Sequence, residues 1–198
     1  MQTQLTVVLS KTVFFVALSM PLTWLAWQIS IEIAAPTTAL GADPGEAIVH
    51  FLGLWAIRLL LLAFAISPLQ KIFRQPNIGK LRRMAGVYAF VYALLHLTAY
   101  LFFYLEFAWD ALLEDFVERT FITVGMLALL CLTPLAVTST AGWQRRLRRN
   151  WKRLHRLVYP AIAFALIHLY WLTRDGFAEV FLYSVLFIVL VGFRWVRR

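Results

Sequence analysis

The sequence predicts an all-α integral membrane protein, a six-transmembrane-helix bundle with both termini on the cytoplasmic side. Three observations predict it. The chain is 62% hydrophobic, whereas an ordinary soluble domain is nearer half apolar. Its apolar residues fall into long runs rather than alternating faces, and the mean hydropathy is +0.74. Its basic and acidic residues separate into alternate connections between those runs.

A helix needs about 20 mostly apolar residues to cross a bilayer. Six segments qualify, at 12–31, 47–66, 84–105, 121–140, 157–173 and 177–196. The first run is longer than the core of a signal peptide, and five further spans follow it. The connections are too short for a soluble domain, so residues 1–198 form a single transmembrane domain. Tryptophans such as Trp24, Trp27, Trp109, Trp143, Trp151, Trp171 and Trp195 gather at span ends, where an interfacial belt is expected.

The loops fix the orientation. Segment 68–83 carries Lys71, Arg74, Lys80, Arg82 and Arg83 and no acid. Segment 141–156 carries Arg145, Arg146, Arg148, Arg149, Lys152, Arg153 and Arg156, again without an acid. Lys11 near the start and Arg194, Arg197 and Arg198 at the end agree with them. Glu32, Asp43, Glu46, Glu106, Asp110, Glu114, Asp115, Glu118, Asp175 and Glu179 all fall in the other connections. Lys and Arg stay on the cytoplasmic side during insertion, which places both ends inside, in a bacterial inner membrane. A net charge of +9 would suggest nucleic acid in a soluble protein; here it follows from topology. The single cysteine, Cys131, lies in an apolar run, so there is no disulfide framework and no CxxC motif. One weak echo links Ile66-Ser67-Pro68-Leu69 to Leu132-Thr133-Pro134-Leu135. It reads as two independent helix-ending or kinking prolines.

No nucleotide-binding glycine motif, P-loop or zinc motif is present. The chemistry lies in the histidines. His96 sits inside the third span and His168 inside the fifth, where an ionisable group is costly and normally faces a partner within the bundle. Both spans run outward from the cytoplasmic face, and both histidines lie about the same number of residues in, hence at nearly the same height. Two such imidazoles can clamp one porphyrin from its two faces. The bland alternative is a helix–helix hydrogen bond or a proton relay. His155, at the mouth of the fifth span, lies about 20 Å along a straight helix from His168, the spacing of two hemes stacked across a bilayer. A local break in the helix is needed to bring the two onto one face. The third span has Arg83 where a matching fourth histidine would stand. His50 reads as a polar residue near the outer surface that can line a pocket. Arg58 falls near the centre of the second span and needs a counter-charge, which a heme propionate or cofactor phosphate would supply. Arg82, Arg83, Arg153 and Arg156 could hold propionates or a flavin phosphate at the cytoplasmic face, although most serve topology.

These residues also carry a resemblance. Gly41-Ala42-Asp43-Pro44 is followed by His50-Phe51-x-Gly53, Arg82-Arg83-x-x-Gly86, Leu95-His96-Leu97-Thr98 and Phe121-Ile122-Thr123-x-Gly125. Thr138-Ser139-Thr140, Trp151-x-x-Leu154-His155-x-x-Val158-Tyr159 and His168 complete the set. In this order and spacing, over nearly the whole chain, the sequence resembles the MsrQ (YedZ) family, the heme-binding membrane subunits of bacterial periplasmic methionine sulfoxide reductase systems. That family is a short relative of the ferric reductase and NADPH oxidase transmembrane domains. The resemblance implies heme b, one or two per chain, and FMN. It implies electrons taken from the quinone pool or a cytoplasmic flavin reductase and passed to a periplasmic molybdopterin subunit. That partner would hold the catalytic site and repair oxidised periplasmic proteins. His96, His155 and His168 fall on the family's heme-ligand positions, with one histidine fewer than in the larger relatives. No FAD/NADPH domain follows Arg198, so direct oxidation of NADPH is not expected. Two other readings stay open: a stand-alone transmembrane ferric reductase, and a small proton-coupled transporter using His96, His168 and Arg58 as a polar pathway.

Overall fold

The computed structural model describes residues 2–75, 78–173 and 176–196, with side chains from residue 8 onward. Asp175, Arg197 and Arg198, used above for orientation, lie outside the described residues. The described chain is helical throughout, without a strand. Helix α1 runs Gln2–Ala34, α2 Pro44–Ile72 and α3 Arg82–Phe103, the last preceded by a 3-10 turn at Ile78–Leu81. A short helix α4, Trp109–Glu118, leads into α5, Thr120–Val137. Two further short helices, α6 (Ala141–Leu147) and α7 (Arg149–Leu154), meet at Arg148, whose φ of +47° turns the corner. A 3-10 turn at His155–Leu157 then leads into α8, Val158–Leu172, and α9 spans Ala178–Val196.

Local chemistry sets these ends. Asp43 caps α2 by accepting the N–H of Glu46 at 2.9 Å, and Pro44 takes the first helical position, where its missing donor costs nothing. Thr140 caps α6 in the same way through Trp143. The link before α2 is tied by Glu32, whose carboxylate accepts N–H bonds from Thr37, Ala39 and Leu40.

Among the described residues five helices are long and apolar enough to cross a membrane: Val8–Ala34, Pro44–Ile72, Ile78–Phe103, Thr120–Val137 and Ala178–Val196. The chain is therefore a multi-pass integral membrane protein. The segment expected as a fifth of six spans, 157–173, corresponds to α8. At 15 residues that helix rises about 22 Å, short of a full hydrocarbon core of about 30 Å. The polar His155–Arg156 pair and its 3-10 turn cut the regular helix at that point.

Helix α2 is the hub. Leu59, Leu60, Leu61 and Phe64 are buried, and the facing side of α3 presents Ala85, Ala89 and Tyr92, all fully buried. Small residues one turn apart let two membrane helices approach closely, so α2 and α3 form a tight antiparallel hairpin. Helices α5 and α8 form a second hairpin packed on the first. Tyr92 donates to the carbonyl of Leu18 at 3.0 Å, and Ser19 meets Tyr88 at 2.6 Å, which docks α1 on α3. Side chains such as Phe181 and Ile188 on α9 point outward and stay about 70% exposed, as apolar groups facing lipid do.

Helix α4 replaces what the sequence reads as a loop. Its Asp115 is buried, accepts the Tyr100 hydroxyl and pairs with Arg119 at 2.8 Å. Trp109, Leu113 and Val117, one turn apart, form an exposed apolar stripe.

Candidate heme-ligand site

His96 projects from α3 toward α2, and His168 projects from α8 toward α5. His96 Nδ1 lies 2.8 Å from the carbonyl oxygen of Val49. His168 Nδ1 lies 2.7 Å from that of Phe121. A carbonyl only accepts, so each Nδ1 carries the proton and donates it. Each Nε2 is then left as an unprotonated lone pair. Histidines that bind metals through one nitrogen use the other in this way, which fixes tautomer and ring orientation.

The two imidazoles lie close together across the hairpins. Their ring centroids are 6.1 Å apart and their planes stand at 82°. Two imidazole nitrogens on opposite sides of one metal, each at about 2.0–2.1 Å, stand roughly 4 Å apart, which puts the ring centres a little over 6 Å apart. The observed separation therefore suits one metal between them. Among the described residues no group of three or more His, Cys, Asp or Glu side chains could hold a metal ion. A bare ion of the zinc type wants four protein ligands, whereas a porphyrin iron needs only two axial ones. Two histidines held in this way could serve as the two protein ligands of a heme iron.

The remaining predicted residues lie elsewhere. His155 stands at the basic end of the bundle, its ring 4.0 Å from that of Trp151 and its Nε2 3.3 Å from Thr138 Oγ1. Trp151 Nε1 donates to the Thr138 carbonyl at 2.9 Å, so one threonine holds both rings. The 3-10 turn at His155–Leu157 breaks the α-helical register between His155 and His168, where the spacing required a break. His155 opens on a cavity of about 260 Å³ that is lined by Arg82, Arg83, Gly86, Ser139 and Gln144 among others. Arg82 donates to Ser67 Oγ at 3.1 Å. Arg153 and Arg156 are not among the residues lining it. His50 is exposed on α2, next to Val49.

Arg58 finds its counter-charge within the protein. Its Nη2 lies 3.1 Å from Glu179 Oε1, its Nε donates to the Tyr183 hydroxyl at 2.7 Å, and its guanidinium sits 5.5 Å from the Trp55 ring. Helix α9 supplies what the sequence reading sought in a propionate or phosphate.

The sequence motifs include Gly53 and Gly125, but sequence reasoning gave no role to these glycines or to the two carbonyls beside the histidines. A Cβ built on Gly53 would lie 3.0 Å from His96 Nδ1 and Cε1, and one on Gly125 would lie 2.9 Å from the same atoms of His168. In both hairpins the accepting carbonyl lies 47 residues before its histidine and one helical turn before the glycine. One common offset carries Val49, Gly53, Arg83 and His96 onto Phe121, Gly125, His155 and His168. The signal was present in the sequence as that offset.

Comparison with known proteins shows the family. Residues 52–166 match the family described as ferric reductase like transmembrane component. A "Protein-methionine-sulfoxide reductase heme-binding subunit MsrQ" from Xanthomonas campestris pv. campestris (strain 8004) is 45% identical over 97% of this chain and 88% of its own. Proteins of the same name from Xanthomonas axonopodis pv. citri (strain 306) and Caulobacter vibrioides are 45% and 41% identical, over 98% and 90% of this chain and 88% and 83% of theirs. The chain belongs to the ferric reductase-like transmembrane family, and within it to the group of these MsrQ subunits.

Proposed function

We propose that the chain is the heme-bearing electron-transfer subunit of a methionine sulfoxide reductase system, with His96 and His168 as the axial ligands of one heme b. The observation that carries this reading is the pair of closely placed imidazoles, each with its Nδ1 proton committed to a backbone carbonyl. A heme bound there supplies one-electron chemistry between ferric and ferrous iron. The protein does the rest. Val49 and Phe121 hold the ligand tautomers. The two hairpins fix the separation of the two rings. With both histidines holding the iron, the group would supply electron relay rather than substrate binding at the metal.

His155, Arg82 and Arg83 around the second cavity support a further cofactor at the basic end. There a second heme would take His155 as ligand and the arginines as propionate partners, or FMN would place its phosphate on them. We read the bundle as six spans in a bacterial inner membrane, with α8 lengthened by the turn before it. The basic end faces the cytoplasm and both termini lie on that side. Electrons would enter from the quinone pool or a cytoplasmic flavin reductase and leave to a periplasmic molybdopterin subunit holding the catalytic site. Pairing of Arg58 with Glu179 removes it from the polar pathway that a transporter would need.

The test is a reduced-minus-oxidised visible spectrum of the purified protein beside His96→Ala and His168→Ala. Sharp b-type bands lost in both variants support the pair. Wild-type bands in either variant, or a colourless protein from heme-replete membranes, would refute it. His155→Ala then reports on the second site.

A further inference from the structure

We propose that Gly53 and Gly125 are positioning residues: they seat the two ligand imidazoles against bare helix backbone and hold the ring planes perpendicular. This rests on the reading of His96 and His168 as axial ligands, and its test separates the two.

The argument begins with helix geometry. Residues one turn apart lie above one another on the same face. On α2 the ring of His96 therefore meets the Val49 carbonyl and, one turn on, the missing side chain of Gly53. On α5 the ring of His168 meets the Phe121 carbonyl and then Gly125. Within the helix each of these carbonyls already accepts the N–H of its glycine. A carbonyl oxygen has two lone pairs, and the second takes the imidazole proton at 2.8 Å and 2.7 Å. An imidazole can reach a carbonyl that is already bonded within its helix only if the next turn gives way.

The fit leaves no room. A methyl group at either glycine would stand 3.0 Å or 2.9 Å from ring atoms, at or below the closest approach of real Cβ atoms. The atoms approached belong to the ring and not to the end of a flexible chain. The ring would have to tilt or slide, and its Nδ1 bond and the direction of its Nε2 would change together. Gly192 offers the contrast, with nothing within 4 Å of such a group.

The arrangement occurs twice at one offset, so the two rings are held by equivalent seats on separate hairpins, and their planes end at 82°. Ring angle has its own signature. Ferric low-spin iron between perpendicular imidazoles gives a strongly anisotropic EPR signal with one large g value. Near-parallel imidazoles give a rhombic signal.

The experiment is EPR and redox titration of the purified heme-loaded protein as wild type, Gly53→Ala, Gly125→Ala and Gly192→Ala. The wild type and Gly192→Ala are expected to share the large-g signal. Both seat variants are expected to move it toward the rhombic type, shift the midpoint potential, and hold heme about 10–100-fold more weakly. A rhombic signal in the wild type would overturn the proposal with no variant needed, as would seat variants that keep the wild-type signal, potential and heme content. Loss of the ligand reading looks different: His96→Ala or His168→Ala would then keep the bis-imidazole spectrum.

Discussion

Glu179→Leu is expected to destabilise the bundle through Arg58, while leaving any heme spectrum unchanged. Arg58 is the middle residue of α2 and meets the first turn of α9 through Glu179; an arginine at the bilayer centre costs about 2.5–3.5 kcal/mol to insert, which sets the upper bound. At an effective dielectric of about 20, opposite charges 4 Å apart attract by about 4 kcal/mol, and this pair stands at 3.1 Å. The side chains remain 35% and 48% exposed, so much of that attraction is lost to screening; fully exposed pairs contribute only about 0.2–1 kcal/mol. Tyr183 and Trp55 also keep part of the guanidinium satisfied when the carboxylate goes. A coupling energy of about 1–2 kcal/mol follows, between the exposed-pair and midplane figures. The assay is a double-mutant cycle of Arg58→Leu and Glu179→Leu, read by reversible denaturant unfolding in detergent micelles with heme absorbance recorded in parallel. The double variant should recover most of what Glu179→Leu loses, because it removes the stranded cation. Additive losses would refute the pairing. Loss of heme in Arg58→Leu but not in Glu179→Leu would return Arg58 to the role of cofactor anchor.

Three further outcomes are expected. Ala89→Leu forces a branched side chain into a fully buried contact between α3 and α2 and should cost about 1–3 kcal/mol; the thermal midpoint should fall well below that of Val91→Leu, at an exposed site on the same helix. Asp115→Ala strands the Tyr100 hydroxyl and frees Arg119, at about 1–3 kcal/mol, so amides of α4 should exchange with solvent roughly tenfold faster or more, while α3 stays protected. Glu32→Ala removes the acceptor for three N–H groups at Thr37, Ala39 and Leu40, and faster exchange at those amides, with α1 and α2 unchanged, is the expected result; unchanged exchange there would count against the capping role.

The features legible in the sequence are those set by local physics. A bilayer sets a length, and apolar runs declare it, so the helix cores of α2, α3, α5 and α9 fall where composition places them. The depth match of His96 and His168 was likewise legible, because rise per residue converts sequence position into height. Helix α4 was not. Its ten residues are too few to read as a span, and its acids read as a loop until Asp115 is seen bonded to Tyr100. The partner of Arg58 was hidden for a different reason: Glu179 is 121 residues away, and no local pattern brings α9 back to α2.

The repeat shows why the seats escaped notice. The echo visible to the eye, Ser67-Pro68 with Thr133-Pro134, lies in a different register from the one that aligns the histidines. The working register pairs a valine with a phenylalanine, and an arginine with a histidine, so side-chain likeness does not reveal it. Position 49 contributes a carbonyl, which every residue has, and position 53 contributes the lack of a Cβ. Only the glycine and the histidine are therefore constrained in kind. The unequal members show where the halves diverge. Arg83 faces the cavity from α3, while His155 faces it from the turn before α8. One level of the bundle therefore has two matched imidazoles and the other has one imidazole opposite a cation. On the proposed reading, a group bound at the first level would meet an imidazole on both faces. A group bound at the second would meet an imidazole from one hairpin and the positive charge of Arg83 from the other, which would favour anionic substituents. The two levels differ in electrostatics by construction, although they derive from one geometric plan.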